Sequence, residues 1–298
     1  VNSKTQITHS GFISLLGRPN VGKSTLLNRL LGEKLVITSP KPQTTRNRIT
    51  GVLNHGECQL IFFDTPGVHE SEKLINRYMT RQALSTLGDV ECAVLIVDAK
   101  TGVSEGDRAL AAKLCATEVP VVLAVNKIDQ ANYRKADFAD IAKFHDVIEI
   151  SALTGTGVKE LLDKLTSLMP EGPEYYPDDV LTDRPERFIA QEYIREKVFS
   201  STGEEIPYSV AVTVDNWEDK PEKNLAVIHA TIHVERKSQK GIIIGAGGKL
   251  IKKIGQLARQ DLEKLLGCRV FLDLHVGVEH NWTKDPQQLR RFGYMEEK

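Results

Sequence analysis

From Phe12 to Leu168 short apolar runs alternate with amphipathic stretches. Phe12–Gly17, Val52–Asn54, Gln59–Asp64, Val90–Asp98, Val119–Asn126 and Val147–Ser151 read as strands. Between most of them, over Lys23–Leu31, Leu74–Leu87, Glu105–Ala116 and Val158–Leu168, apolar residues recur at helical spacing. This alternation predicts an α/β unit, a mostly parallel sheet with helices on both faces. The connection at His55-Gly56 is too short for a crossover and predicts an antiparallel hairpin.

At Pro170 the pattern changes. Four prolines (Pro170, Pro173, Pro177 and Pro185) and a cluster of acids mark residues 171–187 as a linker. Beyond it come an amphipathic helix (Glu186–Phe199), strands at Tyr208–Val214 and Leu225–Val234, a glycine-rich turn opening a helix (Gly245–Leu266) and a strand (Arg269–Val278). The expected organisation is therefore a first domain over 1–170, the linker, and a smaller α+β domain over 188–298 that includes a C-terminal extension. No apolar run approaches the roughly 20 residues of a membrane span. The polar start, Val1–Ser10, lacks a secretory pattern, so a cytosolic setting is expected. The four cysteines are far apart and form no Cys-x-x-Cys pair, which argues against a zinc site or a disulfide framework.

The chemistry sits at the ends of the strands. Gly17-Arg18-Pro19-Asn20-Val21-Gly22-Lys23-Ser24 fits the phosphate-binding pattern G-x-x-x-x-G-K-[ST] and lies between a strand and a helix, with Thr25 following. In such a loop backbone N–H groups converge on phosphate oxygens, Lys23 reaches the outer phosphates and Ser24 ligates Mg²⁺. Asp64-Thr65-Pro66-Gly67 follows the third strand, where Asp64 would hold Mg²⁺ through water and the Gly67 N–H would sense a γ-phosphate. Gln43-Thr44-Thr45-Arg46 occupies an aperiodic polar segment suited to ordering by γ-phosphate and Mg²⁺; one threonine should complete the metal shell, with Thr45 favoured over Thr44. Val68, which follows Gly67, is an apolar side chain that cannot orient an attacking water, so intrinsic hydrolysis of a bound nucleotide is expected to be slow.

The base is specified by Asn126-Lys127-Ile128-Asp129. A carboxylate at Asp129 accepts from the guanine N1–H and N2 amine, whereas adenine offers an acceptor at N1 and no amine at C2. The nucleotide is expected to be GTP or GDP. Ser151-Ala152-Leu153 would bring the Ala152 N–H near the guanine O6.

Charge changes the picture of the second domain. The formal net charge is -1, which taken whole argues against a nucleic-acid partner. Between Arg236 and Gln260, however, there are seven basic residues, Arg236, Lys237, Lys240, Lys249, Lys252, Lys253 and Arg259, and no acid. They bracket Ile244-Gly245-Ala246-Gly247-Gly248, which contains Gly-x-x-Gly. Such a loop lets the backbone approach a single-stranded sugar-phosphate chain and clamp about four nucleotides.

These motifs, in this order and followed by a linker and a Gly-x-x-Gly domain, resemble the Era-like family of bacterial GTPases over nearly the whole chain. Thr25-Leu26-Leu27-Asn28, Ile150-Ser151-Ala152, Tyr208-Ser209-Val210 and Val234-Glu235-Arg236 fit the same likeness. The resemblance implies a Ras-like G domain joined to a type II KH domain, GTP hydrolysis, and binding of the 3′ end of 16S rRNA during assembly of the 30S subunit. It also implies a peripheral association with the inner face of the cytoplasmic membrane; a monomer is expected. For Asn20 it implies a part in holding K⁺ against transition-state charge, so that Lys23, Thr45, Gly67 and Asn20 form the expected catalytic set. The chain departs from the family at Ala246 and Gly247, where a basic residue is common.

Overall fold

The computed structural model describes residues 6–41, 44–68, 74–130, 138, 140–203 and 206–294. Pro42 and Gln43, the first residue of the Gln43–Arg46 segment, lie outside the described residues. The chain divides into two compact units at Asp183–Arg184.

The first unit is built on a six-stranded sheet: β1 (His9–Leu16), β2 (Ile49–His55), β3 (Cys58–Asp64), β4 (Cys92–Asp98), β5 (Val121–Asn126) and β6 (Asp146–Glu149). Their order is β2-β3-β1-β4-β5-β6, parallel throughout except for the antiparallel β2–β3 hairpin. Between them lie α1 (Lys23–Leu31), α2 (Leu74–Ser85), α3 (Glu105–Cys115) and, after β6, α4 (Val158–Ser167). Every residue of β3 and β4 is buried, which explains their continuous apolar reading, since a sheet covered on both faces shows no polar alternation. Leu95, Val97 and Leu123 of the sheet meet Leu110 and Leu114 of α3 in the main core. β1 lies between β3 and β4, so the chain order reverses there, and in open α/β sheets ligands bind outside the carboxyl ends of strands at such a point.

Residues 171–183, expected within the linker, dock on this unit. Val52 N–H donates to Leu181 O at 2.9 Å and the Thr50 hydroxyl to Asp183 at 3.0 Å, so the segment covers the edge of β2. Gln59 fastens the same segment: its Oε1 accepts from the Tyr175 and Tyr176 N–H groups and its Nε2 donates to Tyr176 O.

The second unit carries α5 (Glu186–Ser201), β7 (Ala211–Lys220), β8 (Leu225–Val234), α6 (Lys237–Ile244), α7 (Lys249–Leu266), β9 (Arg269–Val278) and α8 (Pro286–Arg291). β8 pairs antiparallel with β7 and parallel with β9. Ile194 and Val198 of α5 and Ile254 and Ala258 of α7 pack on Ile232 and Val234 of the sheet. The strand expected at Tyr208–Val214 differs: Ile206–Ser209 is a 3₁₀ turn, while β7 continues through a bulge at Asp215 to Lys220. Pro207 removes a ladder donor at the start. At the far end the β7–β8 hairpin is largely exposed, so its polar residues carry no apolar period.

Candidate nucleotide cleft and candidate RNA-binding helix

The loops leaving the carboxyl ends of β1, β3, β4 and β5 surround a cleft of about 590 Å³. Pro19, Asn20, Gly22, Lys23, Ser24 and Thr25 form one wall, and Ile37–Pro40, Thr44, Thr45 and Gly67 another. α1 opens at Gly22 without a side-chain cap and without an acid in its first turn, so its first N–H groups are left for an anion. α3 is the contrast, because Ser104 and Asp107 close a capping box there.

At the floor, three oxygens converge. The Ser24 hydroxyl donates to Asp64 Oδ2 at 2.7 Å and lies 2.8 Å from Thr45 Oγ1, which is itself 3.3 Å from Asp64 Oδ2. Thr44 turns away and its hydroxyl donates to Lys41 O. Asp64 Oδ1 is buried and has no hydrogen-bond partner among the described residues. A buried carboxylate oxygen left over beside two hydroxyls suits the hydration shell of a hard divalent cation. Burial pushes the Asp64 carboxyl up to about 6, against the opposing pull of Lys23, Ser24 and Thr45. Burial likewise lowers the Lys23 ammonium to about 8, with Asp64 pulling the other way. Both groups are thus held in a water-poor site where an added charge partner is worth more than in solvent.

Lys23 Nζ folds across the loop onto Gly17 O (3.1 Å) and Arg18 O (2.9 Å). The Arg18 guanidinium points out of the cleft, to Ser104 Oγ at 2.7 Å and Asp107 at 3.3 Å, so it anchors the loop to α3. Thr65 and Pro66 are buried, the Thr65 hydroxyl donating to Leu15 O. Gly67 abuts Pro19 so closely that a Cβ would lie 2.6 Å from the Pro19 nitrogen, and the Val68 N–H donates to Gly17 O at 3.0 Å. The segment after β3 is therefore packed onto the phosphate loop. Asn20, in the left-handed region with φ 64°, donates from Nδ2 to Pro40 O at 2.7 Å.

At the other end of the cleft, Asn126 links two loops. Its Nδ2 donates to Val21 O at 2.7 Å and its Oδ1 accepts from the Ala152 N–H at 2.9 Å. The Ala152 donor expected to face guanine O6 is thus engaged by Asn126 in this state. Asp129 is exposed, and a hydrogen bond from the buried Ser151 side chain is the chief cause holding its carboxyl below the usual range. Such a carboxylate is an acceptor at neutral pH, as pairing with guanine N1–H and N2 requires.

In the second unit α6 and α7 flank Gly245–Gly248. Ile254, Ala258 and Leu262 bury one stripe of α7, which leaves Lys249, Lys252, Lys253 and Arg259 exposed. Arg236 and Lys237 are exposed on the other arm, while Lys240 and Ile244 are half-buried. α7 starts at Gly248 with no side-chain cap and no acid in its first turn. Ala246 and Gly247 are exposed at the tip. Beside the helix, Ile251, Gly255 and Gln256 of α7 and Phe271 and Leu272 of β9 line a groove of about 420 Å³.

The family described as 50S ribosome-binding GTPase matches residues 12–127, and the KH domain family matches residues 205–283. The chain is 48% identical over 291 residues to GTPase Era of Geotalea daltonii, an alignment spanning 96% of this chain and 98% of that one. The chain belongs to the Era family of GTPases. Two solved Era structures match it as a whole. One, Era in complex with MgGDPNP and nucleotides 1506–1542 of 16S ribosomal RNA, has a TM-score of 0.93 at 37% identity and covers 97% of this chain and 100% of its own. The other, an Aquifex aeolicus Era variant bound to GDP.AlF4⁻, has a TM-score of 0.92 at 38% identity with the same coverage. The fold is accordingly a Ras-like G domain followed by a KH domain.

Several residues of this Era-family cleft escaped the sequence motifs. Asp98, Lys100, Thr101 and Gln130 line it beside Lys127. The one available signal was Asp98, a carboxylate ending an otherwise apolar strand. In the KH unit, Gln256 and Phe271 escaped notice because neither belongs to a charge run.

Proposed function

We propose that this chain is a guanine-nucleotide switch whose KH domain binds the 3′ end of 16S rRNA and which acts in assembly of the 30S subunit. The observation that carries the nucleotide half is the convergence of Ser24, Thr45 and Asp64 at the foot of an uncapped helix, with Lys127, two residues before Asp129, lining the same cleft. The RNA half is supported by the exposed lysines of α7 and by the 16S rRNA fragment held by the Era relative.

In this reading the α1 N–H groups and Lys23 bind the phosphates, and Asp129, Asn126, Lys127, Ser151 and Ala152 bind guanine. Ser24 and Thr45 hold Mg²⁺ directly and Asp64 through water; when bound, Mg²⁺ neutralises charge on the β- and γ-phosphates. The Ala152 N–H reaches O6 by sharing or leaving its bond to Asn126. Gly67 N–H meets the γ-phosphate. Val68 offers no hydrogen bond to an attacking water, so turnover without an effector is slow. Asn20, whose carboxamide already reaches Pro40 O, helps to hold K⁺ at the phosphates. Replacing K⁺ by Na⁺ should then slow hydrolysis, and an indifferent rate removes Asn20 from the mechanism.

The route from nucleotide to RNA runs along the chain. Thr45 is four residues before β2, and β2 carries Thr50 and Val52, which hold Asp183 and Leu181 immediately before the second unit begins. A γ-phosphate that fixes Thr45 beside Ser24 and Asp64 holds the anchor of that segment, and its loss lets that anchor move. Arg236, Lys237, Lys240, Lys249, Lys252 and Lys253 supply phosphate contacts around Ile244 and Gly245–Gly248. The domain limits in this reading are 1–170, a linker to 187, and 188–298. The protein acts as a cytosolic monomer with peripheral contact to the inner membrane face; among the described residues no helix is long and apolar enough to cross a membrane.

The test is binding of labelled 16S 3′-end RNA by the full chain and by a Lys249, Lys252, Lys253→Ala variant across salt. The variant should bind weakly and lose roughly two to three units of salt slope. An unchanged slope contradicts the RNA assignment.

A further inference from the structure

The phosphate, metal and base motifs leave Asp98 without a role, although it lines the same cleft. It ends β4 in register with Asn126 at the end of β5, and its side chain is 10% exposed. Its two carboxylate oxygens have separate partners. Oδ1 accepts from the Lys100 N–H at 2.9 Å and Oδ2 from Lys127 Nζ at 2.6 Å. The same Nζ donates to Asn20 O in the phosphate loop at 2.7 Å. One ammonium therefore ties the ends of two strands to the loop that faces the phosphates.

The backbone at Lys127 makes this tie consequential. Its φ is 69°, in the left-handed region that a long L side chain seldom occupies. Such a conformation is unfavourable for a residue with a Cβ and persists where neighbours fix it. Lys127 lies between Asn126 and Asp129, so its conformation sets where both point.

We propose that Asp98 is a positioning residue for guanine-nucleotide binding, holding Lys127 across the cleft so that the Asn126–Asp129 turn and the phosphate loop keep one spacing. This rests on the reading of the cleft as a guanine-nucleotide site. A carboxylate is required because both oxygens accept at once. Asparagine has one acceptor and an amide donor, so it serves either the Lys100 N–H or the Lys127 ammonium and loses the other bond. The Asp98–Lys127 contact is charge-assisted, the stronger class of hydrogen bond.

The experiment is a double-mutant cycle on the full chain, with dissociation of fluorescent GDP and steady-state GTP hydrolysis as readouts. Asp98→Asn should weaken GDP about tenfold, mainly through faster dissociation, and raise KM for GTP with kcat within about twofold. Lys127→Ala should weaken GDP at least as much. Combining the two should cost no more than Lys127→Ala alone, because Asp98 acts through Lys127. Wild-type affinity in Asp98→Asn overturns the proposal. So does a second tenfold loss when Asp98→Asn is added to Lys127→Ala, since Asp98 would then act independently. Thermal unfolding without nucleotide checks that each variant is folded, and Asp98→Ser takes the place of Asp98→Asn with the same expectations if the latter is not. A wild-type chain that binds no GDP overturns the nucleotide reading together with the proposal.

Discussion

Asp64→Asn should make the nucleotide-free protein more stable while removing its response to Mg²⁺. The Asp64 carboxyl is pushed from its ordinary 3.8 up to about 6, chiefly by burial. A carboxyl whose pKa is raised in the folded state costs native stability once the unfolded chain can ionise it, so the penalty grows from pH 3.8 upwards and is complete above about 6. Raising a pKa by one costs about 1.4 kcal/mol of native stability once the group is ionised, so the penalty at pH 7 is about 3 kcal/mol. It falls to roughly half that at pH 5 and vanishes below the ordinary value. Asparagine keeps the shape and an acceptor for the Ser24 hydroxyl without the charge. Urea unfolding at pH 7 should therefore show the variant about 3 kcal/mol more stable, and the gap should close as pH falls through 6 towards 4. Far-UV circular dichroism is the suitable probe, because both tryptophans, Trp217 and Trp282, belong to the second unit. Adding Mg²⁺ with GDP should then stabilise the wild type far more than the variant. A variant less stable than wild type at pH 7, or a gap that does not depend on pH, would refute the account of Asp64 as a carboxylate held charged for a cation.

Three further outcomes follow from the same geometry. In Gly67→Ala the added Cβ meets backbone at 2.6 Å, so the segment after β3 must shift; GTP turnover should fall by roughly 100-fold with GDP affinity little changed, and wild-type turnover would contradict the packing argument. Asp129→Asn should weaken GDP by at least about 100-fold and favour xanthine nucleotides, whose C2 carbonyl suits an amide donor; competition binding with GDP and XDP reads this directly, and unchanged GDP affinity would remove Asp129 from base recognition. Gly248→Asp sets a carboxylate at the uncapped start of α7, at φ 76°, and should weaken 16S 3′-end RNA by roughly 100-fold in a filter-binding assay, whereas normal RNA binding would contradict the clamp.

Much of this was legible along the chain because the relevant physics is local. β3 and β4 read as continuous apolar runs since both faces of the sheet are covered, and the His55-Gly56 turn could only be a hairpin. Gly17–Ser24 and Asn126–Asp129 were recognisable because phosphate and guanine impose residue types at fixed spacing. What was not legible depended on contacts distant in sequence. Asp98 acquires its role only where β4 lies beside β5, 28 residues away from Asn126. The docking of Leu181 and Asp183 on β2 spans about 130 residues, so the proline-rich composition marked a connecting segment without showing where it docks. Thr44 and Thr45 are chemically alike, and only the folded contacts tell them apart: the Thr45 hydroxyl reaches Asp64, whereas the Thr44 hydroxyl donates to Lys41 O. In the second unit, Trp282, Leu289 and Tyr294 are buried, with Trp282 Nε1 donating to Ser209 O at 2.9 Å. These apolar residues are too sparse to show a period, so the end of the chain read only as an extension.

In the proposed switch, the bound nucleotide changes how the KH domain meets RNA. A titration of labelled 16S 3′-end RNA into the full chain, saturated in turn with a non-hydrolysable GTP analogue and with GDP in Mg²⁺ and K⁺, tests it most directly. The account predicts affinities that differ by at least about fivefold, equivalent to roughly 1 kcal/mol of coupling. Equal affinities in the two states would contradict it, because a ligand without differential affinity shifts no equilibrium.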